Sequence, residues 1–422
     1  MSCPTTYRAR WVFPVVSAPV ADGTVTVNDG RIVAVGGPQV GAAVIDLGNV
    51  ALIPGLVNAH THLEFSDLPT PLGQPGRGFS DWIGDVIRHR RAKLESSQDP
   101  TAALTSAIEA GLDQSVTAGV ALLGDIATSA WPHRLLNGRS ELQCTLFQEI
   151  IALDNDLTNE RLQQAAAHLD LLSPYAPARR AGLSPHAPYS VHPELLSRCC
   201  HLSSRKRVPV AMHLAESREE LQLLTDGSGP FVDLFAEMGF WMPGAIPLRT
   251  RPLDLLRILA TADRALVIHG NYLETDEIDF LAARCEQMSV VYCPRTHTFF
   301  RHRDYPLDRM LAAGVHVALG TDSRASNPDL ELFSELLTVA QLHPQVPPAQ
   351  ILRMGTLNGA QALGCSADFG ALASGKRATL TVIRLPDHSA ADPHELLLDE
   401  TSGVVMRSEE RGLIGPGGGV AF

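Results

Sequence analysis

Several features that are common in other protein classes are scarce or missing in this 422-residue sequence. No apolar run approaches the roughly 18 residues of a membrane-spanning helix, and no run of Lys and Arg exceeds three residues. The 46 acidic residues outnumber the 34 basic ones, giving a net charge of −12 that argues against a nucleic-acid partner. The seven cysteines are odd in number and form no CxxC pair, which argues against a disulfide framework. We therefore expect a soluble cytoplasmic protein without membrane or nucleic-acid partners.

The order of strand-like and helical patterns along the chain predicts the fold. Residues 11–53 contain short strands broken by Asp-Gly and Gly-Gly turns. From Pro54, brief apolar strands alternate with longer helical segments, which is typical of a parallel sheet. Eight such strands are predicted, at 55–63, 120–126, 143–151, 181–186, 209–214, 265–270, 289–294 and 315–322.

Eight βα units predict a closed barrel rather than an open sheet. We therefore expect an α/β fold in which residues 54–368 form a (β/α)8 TIM barrel. Strand-like patterns return after the barrel, for example at 378–383. Residues 1–53 and 369–422 are accordingly predicted to form one small β-sandwich domain built from both chain ends.

The strongest local signal is a His-x-His pattern, His60-Thr61-His62, at the end of the first predicted barrel strand. Residues i and i+2 of a strand point to the same face, so the two imidazoles converge. His213, His269 and Asp322 end the fifth, sixth and eighth predicted strands. Because barrel active sites assemble at these strand ends, the pattern predicts a metal site. Taken singly, each residue could instead be a hydrogen-bonded or capping side chain.

In this order and at these strands, the residues resemble the metal site of the amidohydrolase superfamily. Further segments resemble its aminohydrolase and chlorohydrolase branch, which acts on purines, pterins and triazines: Ser184-Pro185-His186-Ala187-Pro188-Tyr189, His213-Leu214-Ala215-Glu216, Cys293-Pro294 and Gly320-Thr321-Asp322-Ser323. The resemblance extends to residues 370–377, where the family returns to its β-sandwich. It therefore covers nearly the whole chain.

The resemblance implies a metal site with defined ligands. His60, His62, His213 and Asp322 would bind one divalent ion, Zn²⁺ or alternatively Fe²⁺, with a water as the exchangeable ligand. Two-metal members bridge their ions with a carboxylated lysine at the end of the fourth strand, but residues 179–186 contain no lysine. Lysine is rare throughout, with only Lys93, Lys206 and Lys376 in the chain. The lysine scarcity therefore favours a single-metal site.

The same resemblance implies catalytic roles for three residues. Glu216 would take a proton from the water and deliver it to the ring nitrogen and the leaving amine. His269 would orient the nucleophile or polarise the attacked carbon, and Asp322 would also hydrogen-bond the water. His186 would line the substrate pocket.

Five other residues are candidates for substrate contact. The branch often has Cys-Pro-x-Ser-Asn after the seventh strand, whereas here Arg295 follows the proline and His297 takes the place of the asparagine. Arg295 could bind a substrate carboxylate, or it could pair with a barrel carboxylate such as Glu64 or Asp322. Glu64 itself could touch substrate or orient a metal histidine. The remaining candidates, aromatic residues that could stack on a heteroaromatic ring or merely pack a helix, are Phe79 and Trp82.

These features predict a mononuclear metal-dependent deaminase that releases ammonia from an amino-substituted nitrogen heterocycle, most simply an adenine nucleoside derivative. The His-Thr-His-Leu-Glu segment, the Phe-x-x-Trp segment and the Pro-Arg pair also resemble the 6-aminodeoxyfutalosine deaminases of menaquinone synthesis. That resemblance implies a substrate joining adenine to a benzoate-bearing sugar. Cyclic amide hydrolysis, triazine chlorohydrolysis and a non-catalytic metal-binding barrel remain alternatives, and the family suggests a homodimer.

Overall fold

The computed structural model of the chain describes residues 3–37, 42–128, 130–137, 139–172 and 179–407. Residues 408–422 of the predicted C-terminal β-region lie outside this description. Two compact units are distinguished, one of residues 1–58, 114–122 and 331–422, the other of residues 59–113 and 123–330. All the predicted site residues belong to the second unit. The predicted domain boundaries at 53/54 and 368/369 stay predictions.

Strands from both chain ends form one mixed sheet, so the predicted association of the two ends in a β-rich unit is confirmed. The N-terminal strands are β1 (Thr5–Val12), β2 (Val20–Asn28), β3 (Arg31–Val35), β4 (Ala43–Asp46) and β5 (Val50–Pro54). β1 pairs antiparallel with β2 on one edge and parallel with β4 and β5 on the other. The C-terminal strand Leu380–Arg384 continues the sheet antiparallel to β5, and Gly403–Arg407 pairs with that strand in turn. Tyr7, Val12, Val25, Leu52 and Val382 belong to the buried core of this sheet.

Eight further strands form a barrel sheet whose spatial order follows the chain. They are β6 (Leu56–Thr61), β7 (Val120–Ala127), β8 (Gln143–Ile150), β9 (Arg179–Pro185), β10 (Pro209–Leu214), β11 (Arg264–His269), β12 (Met288–Tyr292) and β13 (Val317–Leu319). A parallel bridge between Thr61 and Asp322 connects the end of β6 to the segment after β13. The predicted α/β barrel is therefore confirmed. The C-terminal strands Leu380–Arg384 and Gly403–Arg407 are β14 and β15.

The barrel strands are mostly buried, which explains their largely apolar sequences. Every residue of β7, β10 and β12 is buried. Parallel strands covered on both faces read as continuous apolar runs rather than as alternating patterns. This is why short hydrophobic segments between helical stretches located the barrel strands in the sequence.

Helices connect the strands and complete the fold. They are α1 (Phe79–Ser96), α2 (Pro100–Thr117), α3 (Thr158–Leu171), α4 (Pro193–Lys206), α5 (Arg218–Asp226), α6 (Pro230–Glu237), α7 (Pro252–Leu259), α8 (Thr275–Ala282), α9 (Pro294–Phe299), α10 (Leu307–Ala313), α11 (Leu332–Leu342), α12 (Pro348–Arg353), α13 (Gly359–Ala362) and α14 (Pro393–Leu397). A short 3₁₀ helix at Leu63–Phe65 directly follows β6. None of the helices in the described part of the chain is both long and apolar enough to cross a membrane.

Candidate active site

The predicted metal ligands meet at the carboxyl ends of the barrel strands. His60 is the penultimate residue of β6, and His62 directly follows that strand. His213 is the penultimate residue of β10, His269 ends β11, and Asp322 follows β13. Because the strands run parallel, these ends share one side of the barrel, where barrel active sites are built.

Close distances join these five side chains into one buried cluster. The Nε2 atoms of His62 and His213 are 3.3 Å apart. Oδ1 of Asp322 lies 3.5 Å from Nε2 of His60 and 3.8 Å from Nε2 of His62. Within each of two overlapping sets, His60–His62–His213 and His60–His269–Asp322, the potential ligand atoms lie within 4.8 Å of one another. All five residues are at most 8% exposed.

The imidazoles of His62, His213 and His269 are neutral, which is the form in which histidine binds a metal. Nδ1 of His213 lies 2.9 Å from the backbone oxygen of His186, and because a carbonyl can only accept, this nitrogen carries the proton. Nε2 of neutral His213 therefore presents a lone pair to the cluster. Burial lowers the pKa values of His62, His213 and His269 well below the ordinary histidine value, so these rings are neutral at pH 7.

An unusual backbone conformation directs the Asp322 carboxylate. Its φ of +57° lies in the left-handed region that non-glycine residues rarely adopt. Thr61 Oγ1 donates to the Asp322 carbonyl at 2.8 Å, and the Asp322 N–H donates to the His60 carbonyl at 3.1 Å. The Ser323 N–H and the Ser326 hydroxyl donate to the carboxylate. Burial alone would raise the pKa of this carboxyl, but the hydrogen bond with His60 and the other nearby imidazoles lower it below its ordinary value.

Glu216 lies beside this cluster in a position suited to moving a proton. Its Oε1 atom is 3.2 Å from Nε2 of His269, and the residue is 4% exposed. Burial, reinforced by the negative charges of Asp322 and Glu220, raises the pKa of Glu216 well above its ordinary value. A carboxyl group with a raised pKa can hold and release a proton near neutral pH.

Glu220 holds the loop that carries Glu216, a role that the sequence analysis missed. Its fully buried carboxylate accepts hydrogen bonds from the Ala215 and Glu216 N–H groups, both at 2.8 Å. Ala215 has a φ of +54°, and Asn271 Nδ2 donates to the Glu216 carbonyl at 2.9 Å. These bonds fix the direction of the Glu216 side chain. The signal was present, because Ser217 and Glu220 have the Ser-x-x-Glu spacing of a helix start, and Ser217 does cap α5.

The donor set of the cluster fits a divalent metal ion. Three imidazoles and an ionised carboxylate are the nitrogen and oxygen ligands that zinc and related metals use in proteins. Nε2 of His62 lies 3.3 Å from Nε2 of His213 and 3.8 Å from Oδ1 of Asp322, so these potential ligand atoms face a common point. His60, His62, His213 and Asp322 could therefore hold an ion.

A cavity of about 590 Å³ extends outward from the cluster, and two of the predicted aromatic residues line it. The rings of Phe79 and Trp82 stack with centroids 5.8 Å apart, and Trp82 Nε1 donates to the Ala325 carbonyl at 3.1 Å. Phe79 also contacts Phe231 and Phe300 edge to face. These residues therefore pack the start of α1 and also form a wall of the cavity, while their stacking on a substrate ring stays a prediction.

Exposed apolar side chains surround the outer end of the cavity. Leu94, Ile151, Phe240 and Met242 line the cavity and are between 38% and 63% exposed. The Arg91 guanidinium also lines it and lies 5.2 Å from the centre of the Phe240 ring. We call these five residues the apolar rim. Exposed apolar groups clustered at a cavity mouth are typical of a ligand-binding site.

The cavity wall contains a partly buried charged group that the sequence analysis did not identify. Arg90, on α1, donates to the carboxylate of Glu64, and it lies 3.5 Å from Oε1 of Glu149 at the end of β8. Arg90 and Glu149 line the cavity. Glu64, a predicted substrate contact, is not among the described lining residues. We call Glu64, Arg90 and Glu149 the charged triad. No sequence spacing links these residues, so sequence analysis had no signal for the group.

Of the other predicted substrate contacts, His186 lies at the cavity, whereas Arg295 and His297 are held by other parts of the barrel. His186 lines the cavity, and its Nδ1 lies 2.7 Å from the Ser190 hydroxyl; burial lowers the pKa of His186 to about 3. Arg295 is paired with Asp329, with Nη2 2.5 Å from Oδ1 and Nη1 3.1 Å from Oδ2. The ion-pair alternative thus applies to Arg295, with Asp329 as partner instead of Glu64 or Asp322. His297 is buried, with its ring 5.9 Å from that of Tyr292. Neither Arg295 nor His297 is among the described residues that line the cavity.

Comparison with known proteins relates this site to a group of hydrolases. The model of the amidohydrolase family matches residues 51–408. The chain is 30% identical over 337 residues to the aminodeoxyfutalosine deaminase of Deinococcus radiodurans, covering 75% of this chain and 74% of that protein. It is 29% identical over 410 residues to the 5-methylthioadenosine/S-adenosylhomocysteine deaminase of Moorella thermoacetica, covering 91% and 86%.

A solved structure shows the same fold over nearly the whole chain. The crystal structure of an adenosine deaminase from Xanthomonas campestris with bound zinc aligns with a TM-score of 0.76 and 26% identity. The alignment covers 95% of this chain and 90% of that one.

Proposed function

Because the chain belongs to the amidohydrolase family, we propose that it is a metal-dependent deaminase of adenine nucleoside derivatives. In this reaction the oxygen of a water molecule bonds to the amino-bearing ring carbon, the carbon–nitrogen bond breaks, and ammonia leaves. The observation that carries the proposal is the position of Glu216, a buried carboxyl beside the histidine and aspartate cluster. The similar proteins from Deinococcus, Moorella and Xanthomonas are all named as deaminases of adenine nucleosides or their derivatives.

We further propose that one divalent ion, zinc, is held by His60, His62, His213 and Asp322. The bound zinc in the Xanthomonas adenosine deaminase supports this choice of metal. Such an ion would supply a water that is nucleophilic near pH 7.

The positions of the lysines support a single ion rather than a lysine-bridged pair. Lys93 and Lys206 form ion pairs with Asp67 and Asp170, at 2.7 and 2.9 Å. Lys376 donates to the Ser366 carbonyl. Each lysine of the chain is therefore occupied elsewhere.

The proposed roles of the other residues follow from their positions. Glu216 would accept one proton from the water and donate it to the ring nitrogen, and it would then carry the second proton of that water, from the new hydroxyl group on the carbon, to the leaving amino group. His269, 3.2 Å from Glu216, orients the nucleophile or polarises the attacked carbon. The Asp322 carboxylate also hydrogen-bonds the water. His186 stays neutral and contacts the heterocycle as a hydrogen-bond partner.

The shape of the cavity favours a nucleoside with an apolar substituent on its sugar. The heterocycle would lie at the inner end, beside Glu216 and the stacked rings of Phe79 and Trp82. The apolar rim would then contact whatever the sugar carries. This order along the cavity agrees with the names of the Moorella and Deinococcus relatives, which describe modified adenosines.

A substrate panel tests this proposal. The protein, loaded with one zinc per chain, is incubated with adenosine, 5′-deoxyadenosine, 5′-methylthioadenosine, S-adenosylhomocysteine, aminodeoxyfutalosine, guanine, a pterin, an aminotriazine and a cyclic amide. We expect ammonia and the corresponding inosine derivative from the adenine nucleosides. A new carboxylate from the cyclic amide, without ammonia from any nucleoside, would contradict the proposal and indicate a ring-opening hydrolase.

A further inference from the structure

The charged triad is asymmetric with respect to the cavity. Arg90 contacts both carboxylates, but of the two only Glu149 is among the described residues that line the cavity. The Glu149 side chain is 9% exposed, so nine-tenths of it is buried while its carboxylate borders the cavity. Its ion-pair partner within the described part of the chain is Arg90, at 3.5 Å from one oxygen. A carboxylate offers about four acceptor positions, so Glu149 keeps capacity for a ligand.

Charge also points to a ligand that donates hydrogen bonds. The triad contains two carboxylates and one guanidinium, and Arg90 is shared between them. Burial would by itself lower the pKa of Arg90, but Glu149 and Glu64 raise it above its ordinary value, so the guanidinium stays charged. The Glu149 side chain is 9% exposed, and a carboxylate with so little contact to water is costly unless hydrogen-bond donors reach its oxygens. A ligand with hydroxyl groups would provide such donors.

The position of Glu149 along the cavity corresponds to the sugar of a nucleoside. Glu149 lies two residues before Ile151 of the apolar rim, and Arg90 lies one residue before Arg91 of the same rim. The rim residue Ile151 is 42% exposed, whereas the Glu149 side chain is 9% exposed. Glu149 therefore lies deeper than the rim, in the same cavity wall that His62 and His186 line at the inner end.

We propose that Glu149, held by Arg90, is the residue that recognises the sugar hydroxyl groups of the substrate. Carboxylates are well suited to this task, and dinucleotide-binding proteins use one to bind a ribose hydroxyl. The proposal rests on the proposed deaminase function, since it assigns the heterocycle to the inner end of the cavity. It makes the enzyme selective for intact ribosides over deoxygenated analogues.

The test compares four substrates that differ only in their sugar hydroxyls: adenosine, 2′-deoxyadenosine, 3′-deoxyadenosine and 2′,3′-dideoxyadenosine. For the zinc-loaded protein we expect kcat/KM to fall by about 10- to 100-fold when the recognised hydroxyl is removed, the effect of losing a hydrogen bond to a charged group. In Glu149→Gln the preference for the hydroxylated substrate should fall by a comparable factor. The kcat/KM for 2′,3′-dideoxyadenosine should differ little between the wild-type protein and Glu149→Gln.

Glu64→Gln is the matched control. It removes a carboxylate from the same arginine, but one that is not among the described residues that line the cavity. A purely structural effect of disturbing the triad would therefore change kcat/KM for all four substrates by one common factor in both variants. A loss of hydroxyl preference in Glu149→Gln alone supports the proposal.

Two results overturn the inference. One is a wild-type protein that deaminates all four nucleosides equally, and the other is an unchanged preference in Glu149→Gln at normal zinc content. Either result leaves the deaminase function intact, because ammonia is still released. Absence of ammonia from every adenine nucleoside, including those of the wider panel, would instead refute the proposed function itself.

Discussion

Replacement of Glu220 by Gln tests how the active-site loop is built. Burial raises the pKa of Glu220 to about 7 from an ordinary value of 4.5, even though two backbone N–H groups hydrogen-bond its carboxylate. The folded protein thus binds this proton more tightly than the unfolded chain does. Its stabilising effect is full below pH 4.5 and is lost as the pH rises through 7.

The size of the effect follows from the shift in pKa. A difference of about 2.5 pKa units corresponds to about 3 kcal/mol of free energy of unfolding. Glutamine does not titrate. The difference in free energy of unfolding between wild type and Glu220→Gln should therefore move by about 3 kcal/mol in favour of the variant as the pH rises from about 4.5 to 8. Urea denaturation of both proteins across this range, in one common metal-free buffer, measures the difference.

The same substitution should slow catalysis by disturbing Glu216. Glutamine presents one oxygen and one amino group, so one of the Ala215 and Glu216 N–H groups loses its acceptor and faces a donor. A displacement of the loop by about 1 Å is enough to reduce kcat roughly 100-fold. Zinc content should stay near one per chain, because no proposed ligand contacts Glu220.

Glu277→Gln provides the control for this experiment. Glu277 is also buried, with its pKa raised by burial, and its carboxylate accepts from the Glu274 N–H at the start of α8. We expect this variant to alter stability without lowering kcat. The reasoning about Glu220 is refuted if the free energies of unfolding of wild type and Glu220→Gln depend on pH in the same way and the two proteins have equal kcat.

Three further substitutions test the site. Glu216→Gln should lower kcat by at least about 100-fold while zinc stays near one per chain, because the proton carrier is lost but no ligand is; loss of the zinc would make Glu216 a ligand instead. Gly320→Ala places a Cβ 2.9 Å from the backbone oxygen of His60. We therefore expect a loss of about 1–3 kcal/mol in the free energy of unfolding and less bound zinc. In the control Gly403→Ala the new Cβ meets no atom within 4 Å, so neither quantity should change. Arg295→Ala breaks the pair with Asp329 and should affect carboxylate-bearing and neutral substrates equally; a selective loss on the former would restore Arg295 as a substrate contact.

The grouping of the histidines and Asp322 could be anticipated because its signals are local or repeated. His60 and His62 are two residues apart at the end of a strand, so the strand itself turns both rings to one side. The other members end separate apolar strands of one parallel sheet, whose carboxyl ends must share a side. The family resemblance then implied the roles of these residues.

The pairing of long charged side chains could not be anticipated in this way. Arg295 was expected near a barrel carboxylate or a substrate, and the structure pairs it with Asp329. Likewise, Arg90 meets Glu64 and Glu149, which lie 26 and 59 residues away along the chain. Many carboxylates are compatible with one arginine in a sequence, and only the packed structure chooses among them.

The sequence by itself determined the barrel, the sheet from both chain ends, and which strand ends carry imidazoles and carboxylates. These follow from hydrophobic periodicity and from the spacing of residues within single strands, both of which are local. The tertiary structure decided which side chains line the cavity, how Glu220 holds the loop that carries Glu216, and which carboxylates pair with Arg90. Those outcomes depend on distances between residues far apart in the chain, and such distances exist only once the barrel has closed.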